Sequence, residues 1–228
     1  MSSQISKELR ESTFQFTLGK AERLEDLINE FFEITRFNIY DITLQYTKIN
    51  LTRLLEQLVY EFKPMLKSKN LQCNLCVDDD IMLRCDADKI QRVFDNLLRN
   101  AVIYSFENTD ITISAQCQED TVSIIFCNHG DTLPEEKLNR IFEQFYRLDA
   151  ARSTSSGGAG LGLAIAKQIV ELHNGTIVAE SKRIKTSFQL LCRWRRKIVR
   201  ICIEKKRNNL TSNQENTGFC FGTIKVSR

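Results

Sequence analysis

The chain has 228 residues, 42% of them apolar and 27% charged, a composition that fits one full core plus an appendage. No run approaches the roughly 18 uninterrupted apolar residues of a spanning helix, and the opening MSSQISKELREST lacks the basic-then-apolar layout of a secretion signal. The net charge of +3 conceals a division: residues 1–181 hold 19 Lys/Arg against 27 Asp/Glu, whereas residues 182–228 hold 13 against 2. A basic segment follows a mildly acidic body.

From Leu18 to Phe37, apolar residues fall at Leu24, Leu27, Ile28, Phe31, Phe32 and Ile34, a helical stripe on a charged scaffold. Paired phenylalanines on such a stripe need a partner helix. Residues 4–18 are weakly patterned, so the segment reads as half of a helical hairpin. Asn50 is placed to cap a second helix, LTRLLEQLVYEFKPMLKS. LQCNLCV then alternates as a strand, and DDD makes a turn. Cys73 and Cys76 point to opposite faces of that strand and no second Cys/His pair follows, so they read as packing cysteines rather than half a zinc site. Eight cysteines without an export signal imply free thiols in a reducing compartment.

ADKIQRVFDNLLRNAVIYS repeats the amphipathic helical pattern, and TDITISAQC with TVSIIFC reads as a β-hairpin. A loop and short helix, PEEKLNRIFEQFYRL, leads to the Ser/Gly-rich STSSGGAG. The helix LGLAIAKQIVELH follows, ended by Asn174-Gly175. TIVAES and TSFQLLC are strand-like and precede the basic tail. These elements predict an α+β fold, an α/β sandwich whose mixed, largely antiparallel sheet carries its helices on one face, preceded by a helical segment.

Four features carry chemistry. Asn96 and Asn100 in FDNLLRNA are four apart, which puts both carboxamides on one face of a Leu-rich helix. Such a pair costs desolvation unless it binds something, and neutral oxygens suit a Mg²⁺ whose charge phosphates balance. Asn128-His129-Gly130 ends a β-run, where an amide can meet a base edge and glycine permits close approach. IFEQFYR joins aromatic residues to Arg147, a cation for a terminal phosphate. Gly157-Gly158-Ala159-Gly160-Leu161-Gly162-Leu163 opens a helix and frees backbone N–H groups for an anion. No Lys-Ser/Thr follows and no βαβ unit begins there, so a P-loop or Rossmann site is a poor match. Each feature alone is weak, being a cap, a turn, a core helix end or a glycine run. In this order and spacing they are specific.

Together, QRVFDNLLRNA, IFEQFYR and GGAGLGLAIAK resemble the asparagine, phenylalanine and glycine boxes of the histidine kinase family, within the wider ATPase group shared with gyrase and the Hsp90 chaperone. ERLEDLINEFFEITRFN, KINLTRLLEQLVYEFKPML and NHGDTLP look like the glycopeptide-resistance branch of that family. The resemblance covers roughly residues 4–180. It implies ATP and Mg²⁺ as cofactors, with Asn96 and Asn100 on the metal and Tyr104 against the nucleotide. Asn128 stands where most of the family has an aspartate facing adenine, and Gly130 matches the first glycine of that loop, while Thr132 replaces the second. Phe142, Phe145 and Arg147 would anchor a lid, with Arg147 near the γ-phosphate. Gly158, Gly160 and Gly162, with Leu161 and Leu163, would let that lid fold over the triphosphate. Ile103 replaces a lysine found in many relatives.

The resemblance also implies an organisation: 1–45 the second helix of a dimerisation hairpin, 46–191 the ATP-binding catalytic domain, and 192–228 a basic extension. Family members carry a phosphoacceptor histidine on the helix before Leu18–Phe37, and the chain begins after that point. The expected activity is therefore phosphoryl transfer to a histidine supplied by a partner kinase chain, then relay to a response regulator, on the cytoplasmic side of the membrane that anchors the family. No specific nucleic acid is expected. Two alternatives stay open: an ATP-binding remnant that heterodimerises through Phe31 and Phe32, and a gyrase- or chaperone-type hydrolase using Asp95 in place of a glutamate.

Overall fold

The structure is a computed structural model, and it describes residues 2–39, 43–77, 80–118, 121–148, 159–182 and 185–193. It opens on α1 (Ser2–Ile39), one continuous helix where the apolar pattern predicts only Leu18–Phe37. Leu9, Phe14, Phe16 and Leu18 stand exposed along it, as do Leu24, Ile28, Phe31 and Phe32, whereas Ile34 is buried in the core. No helix among the described residues is long and apolar enough to cross a membrane.

The chain continues through β1 (Tyr46–Asn50), α2 (Leu51–Glu61), α3 (Lys63–Ser68), β2 (Gln72–Val77), β3 (Met82–Asp86) and α4 (Ala87–Tyr104). Then come β4 (Asp110–Gln118), β5 (Thr121–His129), α5 (Glu135–Leu138), α6 (Gly162–Leu172), β6 (Thr176–Lys182) and β7 (Lys185–Arg193). Asn50 caps α2 as expected, its side chain accepting from the Arg53 N–H at 3.0 Å. The single helix expected over 51–68 is divided at Phe62. Pro64 has no N–H to continue a helical ladder, and it is tolerated because it falls in the first turn of α3. The sequence pattern does not announce β1 and β3, which pair antiparallel as a ribbon with Tyr46 opposite Asp86.

The other five strands form one sheet in the order β2-β4-β5-β7-β6, antiparallel except where β2 lies beside β4. This is the mixed, largely antiparallel sheet expected. α4 lies against the sheet, with the Phe94 and Phe126 rings 5.8 Å apart. Cys73 packs against the core while Cys76 is exposed, so the two do face opposite ways. Burial along β5 alternates, so Val122, Ile124, Phe126 and Asn128 all point inward. Three are apolar. The fourth is an amide.

A buried histidine ties the layers together. His173, just past α6, accepts the Asp86 N–H on Nε2 at 3.1 Å, and its Nδ1 meets the Ile169 carbonyl at 2.8 Å. A backbone N–H can only donate and a carbonyl only accept, so the ring is the neutral tautomer protonated on Nδ1. Asp86 in turn caps α4 by accepting from the Lys89 N–H, and its other oxygen accepts from the Gln45 N–H. Burial lowers the His173 pKa below its usual 6.5, outweighing the Ile169 hydrogen bond and the Asp86 charge, which raise it. The unfolded chain therefore takes up this proton first. The neutral ring's contribution to stability is complete above about pH 6.5 and is lost as pH falls through the lower folded-state pKa. Urea midpoints measured from pH 7.5 to 5 should drop more steeply in the wild type than in His173→Gln; parallel curves would contradict this.

Candidate functional site

A cavity of about 540 Å³ lies between α4, the start of α6, the end of β5 and the loop that follows it. Asn96 and Asn100 line one wall, a single helical turn apart. Asn96 is buried and its Nδ2 has no hydrogen-bond partner. Its neighbours Val93, Phe94, Leu97 and Leu98 are buried as well, so α4 is otherwise apolar here. An unpaired buried amide costs about 1–3 kcal/mol. No hydrogen bond among the described residues offsets that cost.

Facing Asn96 is the start of α6. A Cβ placed on Gly162 would come within 3.1 Å of Asn96 Oδ1, so glycine sets how closely the two helices approach. Leu161 gives α6 no side-chain cap, and no acidic residue occupies the first turn. The first N–H groups and the positive end of the helix dipole are thus offered to an anion. Gly160 lines the cavity at φ +78°, and its carbonyl accepts the Phe145 N–H at 3.0 Å. Phe145 is left-handed too, at φ 62°.

The floor belongs to the sheet. Asn128 on β5 and Thr186 on β7 are cross-strand partners, both buried and both lining the cavity. Asn128 Nδ2, like that of Asn96, has no partner. Thr186 Oγ1 lies 3.1 Å from Ser181 Oγ, which accepts the Leu133 N–H at 2.9 Å and so holds the loop after β5. Gly130 is pressed against the end of α4, where any Cβ would collide with the Tyr104 carbonyl oxygen.

Cations line the cavity at Lys69, Arg99, Lys137 and Arg147. Lys69 reaches from the turn before β2 to the end of α4, donating to the carbonyls of Val102 at 3.0 Å and Ile103 at 2.6 Å. No glycine ends α4; an ammonium meets its last carbonyls instead. Lys69, Lys137 and Thr186 are missed by sequence reasoning, because each sits in a stretch whose pattern reports only a turn, a surface helix or a strand.

Of the residues singled out from the sequence, Asn96, Asn100, Tyr104, Asn128, Gly130, Arg147, Gly160, Gly162 and Leu163 surround this cavity. Phe142 packs against the core, Leu161 is buried within it and Phe145 is 60% exposed; these three do not line the cavity. Tyr146 does, with the Arg140 guanidinium 4.5 Å above its ring. Gly158 lies outside the described residues. Asp95 also points elsewhere: burial, and then Glu61 on α2, raise its carboxyl pKa against the pull of Arg92 and Arg99. It is not part of the cavity wall.

No group of three or more His, Cys, Asp or Glu among the described residues could hold a metal ion. A cation here would rest on the Asn96 and Asn100 amide oxygens. Two neutral oxygen donors fit a hard cation that arrives with phosphate oxygens of its own, and the unpartnered Asn96 Nδ2 is an N–H donor suited to one of those phosphate oxygens.

Residues 85–196 match the family model described as "Histidine kinase-, DNA gyrase B-, and HSP90-like ATPase". The chain is similar to the sensor protein VanS of Enterococcus faecium, with 51% identity over 174 residues, covering 76% of this chain and 45% of that protein. It is 46% identical over 179 residues to the sensor protein VanSC of Enterococcus gallinarum, covering 78% and 49%. The chain thus spans about half the length of these curated relatives. Among solved structures, the catalytic domain of histidine kinase ThkA matches with a TM-score of 0.59 at 26% identity, over 65% of this chain and 95% of that one. ThkA in complex with the response regulator TrrA matches at 0.65 and 24% identity, over 79% and 50%.

Proposed function

Residues 85–196 belong to the ATPase family of histidine kinases, gyrase and HSP90, in a chain related to the VanS sensor kinases, and on that premise we propose that the cavity binds Mg²⁺-ATP and transfers its γ-phosphoryl group to a histidine presented from outside residues 1–228. The phosphoryl group would pass on to a response regulator in VanS-like glycopeptide-resistance signalling. One observation carries the reading: Asn96, a buried amide whose Nδ2 has no partner, sits one turn from Asn100 and faces an uncapped helix start.

Phosphoryl transfer asks the protein mainly to position the nucleotide and balance its charge. When bound, Mg²⁺ would neutralise phosphate oxygens, held on the protein side by Asn96 and Asn100. The first N–H groups of α6 and the Arg147 guanidinium would take the remaining oxygens, and Asn128 with Thr186 would meet the base. His173 does not suit an acceptor, and His129 ends a strand rather than standing on an exposed helix. Both nitrogens of His173 are engaged in the core, and His129 Nδ1 is 3.0 Å from the Asp110 carbonyl. The position of Asp95 outside the cavity favours transfer over hydrolysis, since it cannot activate water there. The exposed Phe31 and Phe32 of α1 support pairing with a second kinase chain.

The test mixes this chain and labelled ATP with a helical fragment that carries a VanS-type acceptor histidine. Label should move to the fragment; label released only as free phosphate would refute the transfer. Asn100→Ala should lower Mg²⁺-dependent affinity for a fluorescent ATP analogue by about 10–100-fold while keeping the melting temperature. Unchanged affinity would remove Asn100 from the metal site.

A further inference from the structure

We infer that the floor of this cavity reads purines without a fixed polarity, so that the site accepts 6-oxopurine nucleotides alongside ATP; the inference rests on the nucleotide reading above. Asn128 is 2% exposed and is the one polar member of the inward series on β5. A carboxamide carries a donor and an acceptor side by side, and half a turn about its terminal bond exchanges them. Asn128 Nδ2 has no partner, so that turn gives up no hydrogen bond made by the nitrogen.

Thr186, directly across the strand pair, has the same freedom. Its hydroxyl and that of Ser181 are 3.1 Å apart, and either can be the donor. Ser181 Oγ already accepts from the Leu133 N–H, which leaves it one proton and one further lone pair. When Ser181 donates to Thr186, the Thr186 proton is free for the cavity. When Thr186 donates to Ser181, a Thr186 lone pair is free instead.

Adenine presents a 6-amino donor beside the N1 acceptor, whereas hypoxanthine presents a 6-oxo acceptor beside an N1–H donor. Each edge matches one of the two settings of Asn128 with Thr186. A carboxylate at position 128 would offer acceptors only and would repel a 6-oxo group. Asn128 is therefore the specificity-determining residue.

The experiment is competition of ATP and ITP against a fluorescent nucleotide, with Mg²⁺, on the full chain. Wild type should bind ITP within about tenfold of ATP, and Asn128→Asp should weaken ITP relative to ATP by about a further tenfold or more. A wild-type preference for ATP beyond tenfold, or an unchanged ratio in Asn128→Asp, overturns the inference while leaving the ATP site in place. Failure of the wild type to bind either nucleotide strikes the nucleotide reading itself, and this inference with it. Should Asn128→Asp not fold, Asn128→Ala replaces it: the two nucleotides should then weaken together, and loss confined to ATP would overturn the assignment.

Discussion

Asn96→Leu is expected to stabilise the nucleotide-free protein while nearly abolishing nucleotide binding. The substitution removes a buried amide whose Nδ2 has no partner and puts a side chain of similar branching among Val93, Phe94 and Leu97. Relief of the unpaired group is worth about 1 kcal/mol or more, and leucine adds up to about 0.7 kcal/mol of helix preference. For a chain of this size each kcal/mol raises the melting temperature by roughly 2–4 °C. Affinity for Mg²⁺-ATP should fall by about 100-fold, since an oxygen donor facing the start of α6 is lost. Thermal melts beside nucleotide titrations separate the roles. A variant that melts lower yet binds ATP normally would make Asn96 a structural residue.

The second large effect is expected at Gly130, where Gly130→Ala should cost about 1–3 kcal/mol of stability and weaken nucleotide binding as well. The obstacle is main chain rather than a movable side chain: the new methyl would collide with the Tyr104 carbonyl oxygen at the end of α4. Backbone there has little room to yield, because the Phe106 N–H donates to the His129 carbonyl at 2.8 Å and locks the helix end to the strand end. The same methyl would lie 3.4 Å from Asn128 Nδ2, so strain would reach the cavity floor directly. Gly19→Ala is the control, since a Cβ there meets nothing within 4 Å. A Gly130→Ala urea midpoint equal to that of wild type would mean that α4 and β5 can part freely.

Much of this fold is legible in the sequence because the signals are local. The 3.6-residue period of ADKIQRVFDNLLRNAVIY marks α4, and period two marks β4 and β5. Asn50 announces a helix start through its own side chain. What escapes is non-local. β1 and β3 pair across 38 positions from Thr47 to Cys85, and neither is long or regular enough to stand out. The early half of α1 is hidden because its apolar residues are scattered rather than striped. At the site, helical spacing places Asn96 and Asn100 together and alternation turns Asn128 inward. Local pattern could not say that Phe145 points to solvent while Tyr146 faces the cavity, nor that Lys69 crosses to the end of another helix.

The hydrogen bond from Phe145 to Gly160 has a consequence for how such a protein can diversify. The backbone is left-handed at both residues, and the hydrogen bond fastens the two points to each other. Doubling the length of an intervening span adds only about 0.6 kcal/mol of closure entropy. Changes of length between Leu148 and Ala159, which both pack against the core, would then cost the scaffold little, so selection can retune that stretch for timing or regulation without renegotiating the architecture beneath it.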